Sequence, residues 1–364
     1  MKFLALLFCL SALPLTAASA RTRVAHIGLE LDGSWSWIKE VSLDPNAELV
    51  AIADPGQALL ERARTTSPKG TPLFTDFVKM LDEVRPDAVT VTVPNSRHLE
   101  VVRECAKRHV HVWFQKPMAS NAKDAREMER LARESGITMM ISYHTLWSAA
   151  MRAVQTKVTS GDLGAIRQLE VRHAFSASKV LSPTYLAQFL NPALHGGGAI
   201  MDQGTYGIDY AVWLLGRPTR VYATAKTIHP RPGLTMEDEA WVVLDYPSAT
   251  AILYGGWWSE PDGPGIGFTR ISGSKGEVLR DLDRVTYTPA SVPGQPLAPA
   301  QAVALPEVPP DQRGGIAHFL DCIRNAKQVS APHSAALNVT VNEIVDAAYE
   351  SIRSGRSVLL PAGR

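Results

Sequence analysis

Two short segments carry side chains that together could move a proton. Gln115-Lys116-Pro117 ends a strand-like run, and Asp202-x-Gly204-x-Tyr206-x-x-Asp209 opens a helix-like one. The residue before a proline avoids the α-helical region, so the backbone leaves the strand at Lys116 and its side chain can aim into a crevice. A lysine amine next to a phenol and a carboxylate is an acid–base set for an alcohol proton. A tyrosine needs a cationic neighbour to titrate near neutrality, which Lys116 would be for Tyr206 if the fold brings the two segments together. Aromatic and imidazole side chains at Tyr143, His144, Trp147, His173 and Trp257 are further candidates to line a pocket. No Cys-x-x-Cys, His-x-x-x-His or clustered carboxylates offer metal-ligand spacing.

Positioning these groups requires a sheet. Val24–Gly28, Glu48–Ala53, Ala88–Val93, His109–Phe114 and Ile137–Tyr143 read as strands. Between them Trp35–Leu43, Leu59–Thr65, Asp76–Val84, His98–Lys107 and Asn121–Glu134 read as helices. Strand–helix alternation predicts a Rossmann-type, doubly wound parallel sheet over residues 21–145. From residue 146 to 364 the rhythm changes. A helix at Ala149–Ser160, a strand at Ile166–Phe175, and a glycine-rich loop and helix at Gly196–Leu215 precede a succession of strands from Arg220 to Thr288. That order predicts a second, α+β domain on an open, mostly antiparallel sheet. Pro289–Gly315 carries seven prolines and reads as an extended loop, and two helices close the chain.

Lys2, the apolar run Phe3–Leu15 and Ala18-Ser19-Ala20 have the layout of a secretory signal peptide over residues 1–20. Its removal leaves 36 basic against 36 acidic residues, with no basic excess to attract nucleic acid or an anionic membrane. Cys105 and Cys322 then remain, too few for a disulfide framework.

A doubly wound sheet binds nucleotides at its first strand–helix turn. Gly28-Leu29-Glu30-Leu31-Asp32-Gly33 keeps the first and third glycines of the Gly-x-Gly-x-x-Gly fingerprint but has Glu30 at the middle one. Bulk and like charge there oppose a pyrophosphate. Asp54, ending the second strand, suits a ribose 2′-hydroxyl and disfavours a 2′-phosphate, favouring NAD over NADP.

Pro94-Asn95-Ser96-x-His98 and Gln115-Lys116-Pro117 resemble the glucose–fructose oxidoreductase, inositol dehydrogenase and MocA (Gfo/Idh/MocA) family. The likeness continues through Gly161-Asp162-Leu163-Gly164, Gly196-Gly197-Gly198 to Asp209, Trp213-Leu214-Leu215-Gly216-x-Pro218, Gly273-Ser274-Lys275-Gly276 and Phe319-Leu320-Asp321. The resemblance implies a nicotinamide-dependent oxidoreductase acting on a sugar-like secondary alcohol, and a homo-oligomer built on the open sheet. It implies a cofactor held by Gly28, Gly33, Asp54, Pro94, Asn95, His98, Gln115 and Lys116. Lys116, Tyr206 and Asp202 would be catalytic, with Tyr143, His144 and His173 beside the substrate. Gln115 and Tyr206 stand where the family usually has Glu and His, so Lys116 lacks the customary adjacent carboxylate.

Export sits awkwardly with a nicotinamide, and three readings stay open. One is a dehydrogenase that acquires or retains NAD outside the cytoplasm. Another is a glycoside-cleaving enzyme with no net redox change. The third is a cofactor-free member that binds or acts on sugars.

Overall fold

The computed structural model describes residues 20–176, 181–230, 232–257, 267–291, 294, 296, 298–309 and 313–361. All of the predicted signal segment except Ala20 lies outside the described residues. The first layer alternates as expected: β1 (Thr22–Ile27), α1 (Ser34–Leu43), β2 (Ala47–Ala53), α2 (Gln57–Thr66), β3 (Leu73–Phe74), α3 (Phe77–Val84), β4 (Ala88–Val91), α4 (His98–Lys107), β5 (His111–Gln115), α5 (Ala122–Ser135) and β6 (Met139–Ser142). The strands pair in parallel in the order β3-β2-β1-β4-β5-β6. Val89, Val91, Val112, Phe114 and Ile141 are fully buried because helices cover both faces, which is why these strands read as unbroken apolar runs. Strand order reverses between β1 and β4, and ligands bind at the carboxyl ends beside such a switch point.

The second domain begins with α6 (Ala149–Thr159) and β7 (Ile166–Ala174). Next come α7 (Pro183–Phe189), a single turn over Pro192–His195, a wide turn over Ile200–Gly204 and α8 (Thr205–Leu215). Strands β8 (Arg220–Lys226), β9 (Glu239–Asp245), β10 (Thr250–Gly256), β11 (Phe268–Gly273), β12 (Gly276–Asp281), β13 (Arg284–Pro289) and β14 (Gln301–Ala302) follow. Helices α9 (Gly315–Arg324) and α10 (Ala335–Ser354) and strand β15 (Val358–Leu359) end the chain. The nine strands run β14-β13-β12-β11-β7-β10-β9-β8-β15. Every pair is antiparallel except β7–β10, in line with the expected mostly antiparallel sheet. Two short helical segments were not expected. Their signals are local: Ser182 caps Tyr185 with Pro183 in the first turn, and Asn191 caps Ala193 with Pro192 likewise.

The chain returns to the first domain after residue 313. Phe319 of α9 packs on Trp113, itself stacked on Trp37 with ring centroids 3.9 Å apart. A Cβ on Gly315 would collide with the Trp113 indole, so glycine alone lets α9 lie this close. Trp147 stacks on His333 at 4.0 Å, and Ile141 N–H donates to the His333 carbonyl at 3.0 Å. Trp147, a candidate pocket residue by sequence, instead belongs to this seam. Cys105 and Cys322 are both buried and free. Among the described residues no helix is long and apolar enough to cross a membrane, and no group of side chains could hold a metal ion.

Candidate active site

At the end of β1, Gly28 has φ +94°, and a Cβ there would come within 2.8 Å of the Val93 backbone. This is the first fingerprint glycine, and both conformation and space require it. Its carbonyl accepts from Thr92 Oγ1 and His26 Nε2, each at 2.7 Å. Asp54 closes the turn from the other side: its carboxylate accepts from Leu29 N–H and Gly56 N–H, each at 2.7 Å. Between the ends of β1, β2 and β4 lies a cavity of about 330 Å³ lined by Gly28, Glu30, Asp54, Asp76, Pro94, Arg97 and Glu100 among others. Burial pushes the Asp54 and Glu30 carboxyls up, and the Asp54 charge adds to the shift at Glu30. Glu30, on the wall of this cavity, accepts from the Gln188 amide of α7. Asp32 likewise accepts from Ser182 N–H at 2.8 Å. The acid in the phosphate loop is therefore part of a domain contact. Gly33 opens α1, where a Cβ would approach no nearer than 3.7 Å to Gln115 Nε2.

Lys116 ends the neighbouring β5 and is 8% exposed. Its ammonium donates to the Asp202 carboxylate and, at 3.0 Å, to the Asp202 carbonyl. Asp202 sits in the wide turn before α8, where Thr205 N–H reaches back to the Ile200 carbonyl; such one-turn widenings recur at functional sites. The three preceding glycines seat this turn: a Cβ on Gly196 would meet Ser120 backbone at 2.8 Å, and one on Gly198 would collide with Glu237. The second Asp202 oxygen accepts from the Gln203 amide and from Trp257 Nε1 at 2.9 Å. Burial opposes the Asp202 charge, but Lys116 outweighs it with help from His195 and Gln203, so the carboxyl lies below the usual range. Asp202 thus supplies the negative neighbour that Gln115 does not.

Beyond Asp202, Gln203 Oε1 accepts from His173 Nδ1 at 2.5 Å. His173 stacks on Tyr206 at 4.1 Å, and the Tyr206 hydroxyl shares a hydrogen bond with His144 Nδ1 at 2.8 Å. Lys116 Nζ lies over the Tyr206 ring, 5.0 Å from its centroid, rather than at its oxygen. Burial, with the nearby Asp202 charge, pushes the Tyr206 phenol well above its ordinary value. The expectation that Lys116 makes Tyr206 titratable is therefore corrected: the lysine meets the wrong part of the ring.

Two further expectations change. His98 is fully buried, with Nδ1 3.0 Å from the Met118 carbonyl and Nε2 3.1 Å from that of Val93. It braces the two loops after β4 and β5 and is not among the residues lining that cavity or a smaller one beside Lys116. Tyr143 is also fully buried, edge-on to Tyr206, with no hydrogen-bond partner for its hydroxyl among the described residues. It supports Tyr206 from the core and is not among the residues lining either cavity. Asn95 donates to the His195 carbonyl at 2.7 Å. A second, small cavity of about 10 Å³ is lined by Pro94, Asn95, Lys116, Tyr185, Gln188, His195 and Asp202 among others. Tyr185, Gln188 and His195 lie on the unexpected helical segments, and Gln203 and His195 gave no motif signal beyond their place beside Gly196–Gly198 and Asp202.

Comparison with known proteins agrees with this layout. Residues 23–143 match a family model described as an oxidoreductase family with an NAD-binding Rossmann fold, and residues 151–279 match the GFO/IDH/MocA C-terminal domain. The chain is 32% identical to the D-glucoside 3-dehydrogenase of Escherichia coli K12 over 175 residues, 47% of each chain. It is 27% identical to the scyllo-inositol 2-dehydrogenase (NADP(+)) IolW of Bacillus subtilis over 193 residues, 52% of each. These matches span about half the length of either relative. The crystal structure of an aldose-aldose oxidoreductase from Caulobacter crescentus superposes with a TM-score of 0.77 at 24% identity, covering 93% of this chain and 100% of that one. With both of its domains matched in order, the chain belongs to the Gfo/Idh/MocA oxidoreductase family.

Proposed function

We propose that the chain oxidises a secondary hydroxyl of a sugar or sugar-like polyol, with NAD as the hydride acceptor. The observation that carries this reading is the buried Lys116–Asp202 pair at the carboxyl edge of the parallel sheet, next to a nucleotide-sized cavity. The sugar and inositol dehydrogenases among the relatives support it. The tight turn at Gly28 and the carboxylate of Asp54 fit a dinucleotide, which Pro94, Asn95 and Gln115 would help to hold; bound there, it supplies a ring that accepts hydride. Glu30, Asp54, Asp76 and Glu100 face one cation, Arg97, across that cavity, a balance that disfavours the 2′-phosphate of NADP.

Lys116 spends two N–H groups on Asp202 and has a third for the oxygen of the reacting hydroxyl. Asp202, fixed by Gln203 and Trp257, sets the direction of that third donor. Tyr206, His144 and His173 form a packed cluster beside Lys116 that would back the sugar site.

Glu30 lines the larger cavity and Gln188 the smaller, and the contact between them would yield to a dinucleotide that extends from one to Lys116. Calorimetry on the purified protein should therefore show NAD binding at least tenfold tighter than NADP. Glu30→Gly should tighten NAD about tenfold, because a hydrogen bond to a charged group is worth about 1.5 kcal/mol. Absence of NAD binding to both proteins would remove the cofactor from the reading.

We also propose that the open sheet pairs with a second copy. Helices cover one of its faces, while Tyr222, Trp241, Val243, Ile252 and Phe268 remain partly exposed on the other. Sedimentation should find an oligomer that Trp241→Glu dissociates; a wild-type monomer would contradict this. Export is proposed from residues 1–20, and the intact mass of protein recovered outside the cytoplasm should then begin at Arg21.

A further inference from the structure

The 10 Å³ cavity beside Lys116 has room for about one water-sized group, which is the size of a single hydroxyl. Its wall includes the polar residues Asn95, Lys116, Tyr185, Gln188, His195 and Asp202. Those side chains divide by what they can do with a proton. Lys116 offers N–H donors. The Asp202 carboxylate already accepts from Lys116, Gln203 and Trp257 and is held below the usual carboxylate range, with Lys116 overcoming the burial that opposes its charge. Burial pushes the Tyr185 phenol up, so it stays protonated. Asn95 and Gln188 are amides and take no proton.

His195 is different. It is 8% exposed, wedged against Phe189 and Trp257 with ring centroids 4.6 and 6.0 Å away. Its Nδ1 lies 2.8 Å from the Gly197 carbonyl. A carbonyl only accepts, so the ring proton is on Nδ1 and Nε2 carries a lone pair. Among the described residues no hydrogen bond is made to Nε2, which leaves an acceptor free on a residue of this cavity's wall. Burial lowers the His195 pKa below 6.5, and Lys116 lowers it further against the opposing pull of Asp202; the ring is neutral at neutral pH. Lys116, Asp202 and Tyr185 are the titratable groups that share its cavity.

We propose that His195 takes the proton of the substrate hydroxyl that Lys116 holds. This rests on the alcohol-oxidation reading above and assigns its base. The O–H bond breaks with its proton passing to Nε2, the C–H bond breaks with hydride passing to the oxidised nicotinamide dinucleotide, and the C=O bond forms. Lys116 stabilises the negative charge growing on oxygen, and His195 later returns its proton to water. A positioned general base contributes about a hundredfold to ten-thousandfold.

The test has two arms. In cofactor-free protein with ¹⁵N-labelled histidine, the signals missing from His195→Asn should show an unprotonated Nε2 at neutral pH that titrates below 6.5. A protonated Nε2, or titration at or above 6.5, overturns the proposal whatever the enzyme's substrate. In the activity arm, a panel of aldohexoses and inositols is tested with NAD. His195→Asn and His195→Gln should lose at least a hundredfold in kcat/KM, together with the acid limb of the wild-type pH profile. Retention of either within threefold overturns the proposal. If no wild-type turnover is found while the nitrogen signals behave as expected, the oxidation reading fails, and the base assignment falls with it.

Discussion

Lys116→Met is expected to lower kcat/KM for sugar oxidation by about a thousandfold or more. The loss combines a donor aimed at developing negative charge, worth about a hundredfold to a thousandfold, with the orientation that Asp202 imposes on it. The substitution leaves a buried carboxylate short of its cation, which costs about 3 kcal/mol or more. Gln203 and Trp257 still donate to that carboxylate, so the chain should remain folded by circular dichroism with a lowered melting temperature. Lys116→Met/Asp202→Asn should recover part of the stability and none of the activity. Activity within tenfold of wild type would take Lys116 out of the chemistry.

The second large effect is on stability in acid. His26, His98 and His333 are 0, 0 and 3% exposed, and burial depresses them to about 4, 4 and 3. The unfolded chain titrates these rings near 6.5. Below that pH it binds protons that the folded chain refuses, so stability falls as pH drops from 6.5 towards 4. Three such rings give a slope of about 4 kcal/mol per pH unit, comparable over that window with the whole stability of a domain. Chemical denaturation at pH 7.5, 6.5, 5.5 and 4.5 should show a plateau, then a steep loss. Replacement of His98 by Gln should flatten the slope by about one proton. A flat profile down to pH 4.5 would show that the rings are not buried neutral.

The sequence made the first domain plain because its strands are buried on both faces and its helices carry clean apolar stripes. Lys116 was legible from the family resemblance of Gln115-Lys116-Pro117 more than from its own position, since a lysine before a proline at a strand end is equally at home on an exposed loop. The turn at Gly28 and the open second sheet were equally readable. What sequence could not supply was which face of a side chain meets its neighbour. Lys116 lies over the Tyr206 ring instead of at its hydroxyl, and His98 sits between two carbonyls, only one of which its neutral ring can serve. Trp147 and Tyr143 went to a seam and the core, since aromatic residues fill such places as readily as they line pockets. Glu30 read as an obstacle to phosphate because its partner, Gln188, lies 158 residues away. His195 was passed over because a histidine before a glycine run carries no motif, and its role comes only from the fold bringing it to Lys116.

The central claim is that the Lys116 site runs NAD-dependent oxidation of a sugar hydroxyl. Its most direct test follows NADH formation by absorbance as purified wild-type protein and Lys116→Met meet a panel of aldohexoses, inositols and glucosides. NADH should form with the wild type on at least one of them, and none above background with the variant. NAD bound by calorimetry but never reduced on any of these substrates, or equal rates from both proteins, would contradict it.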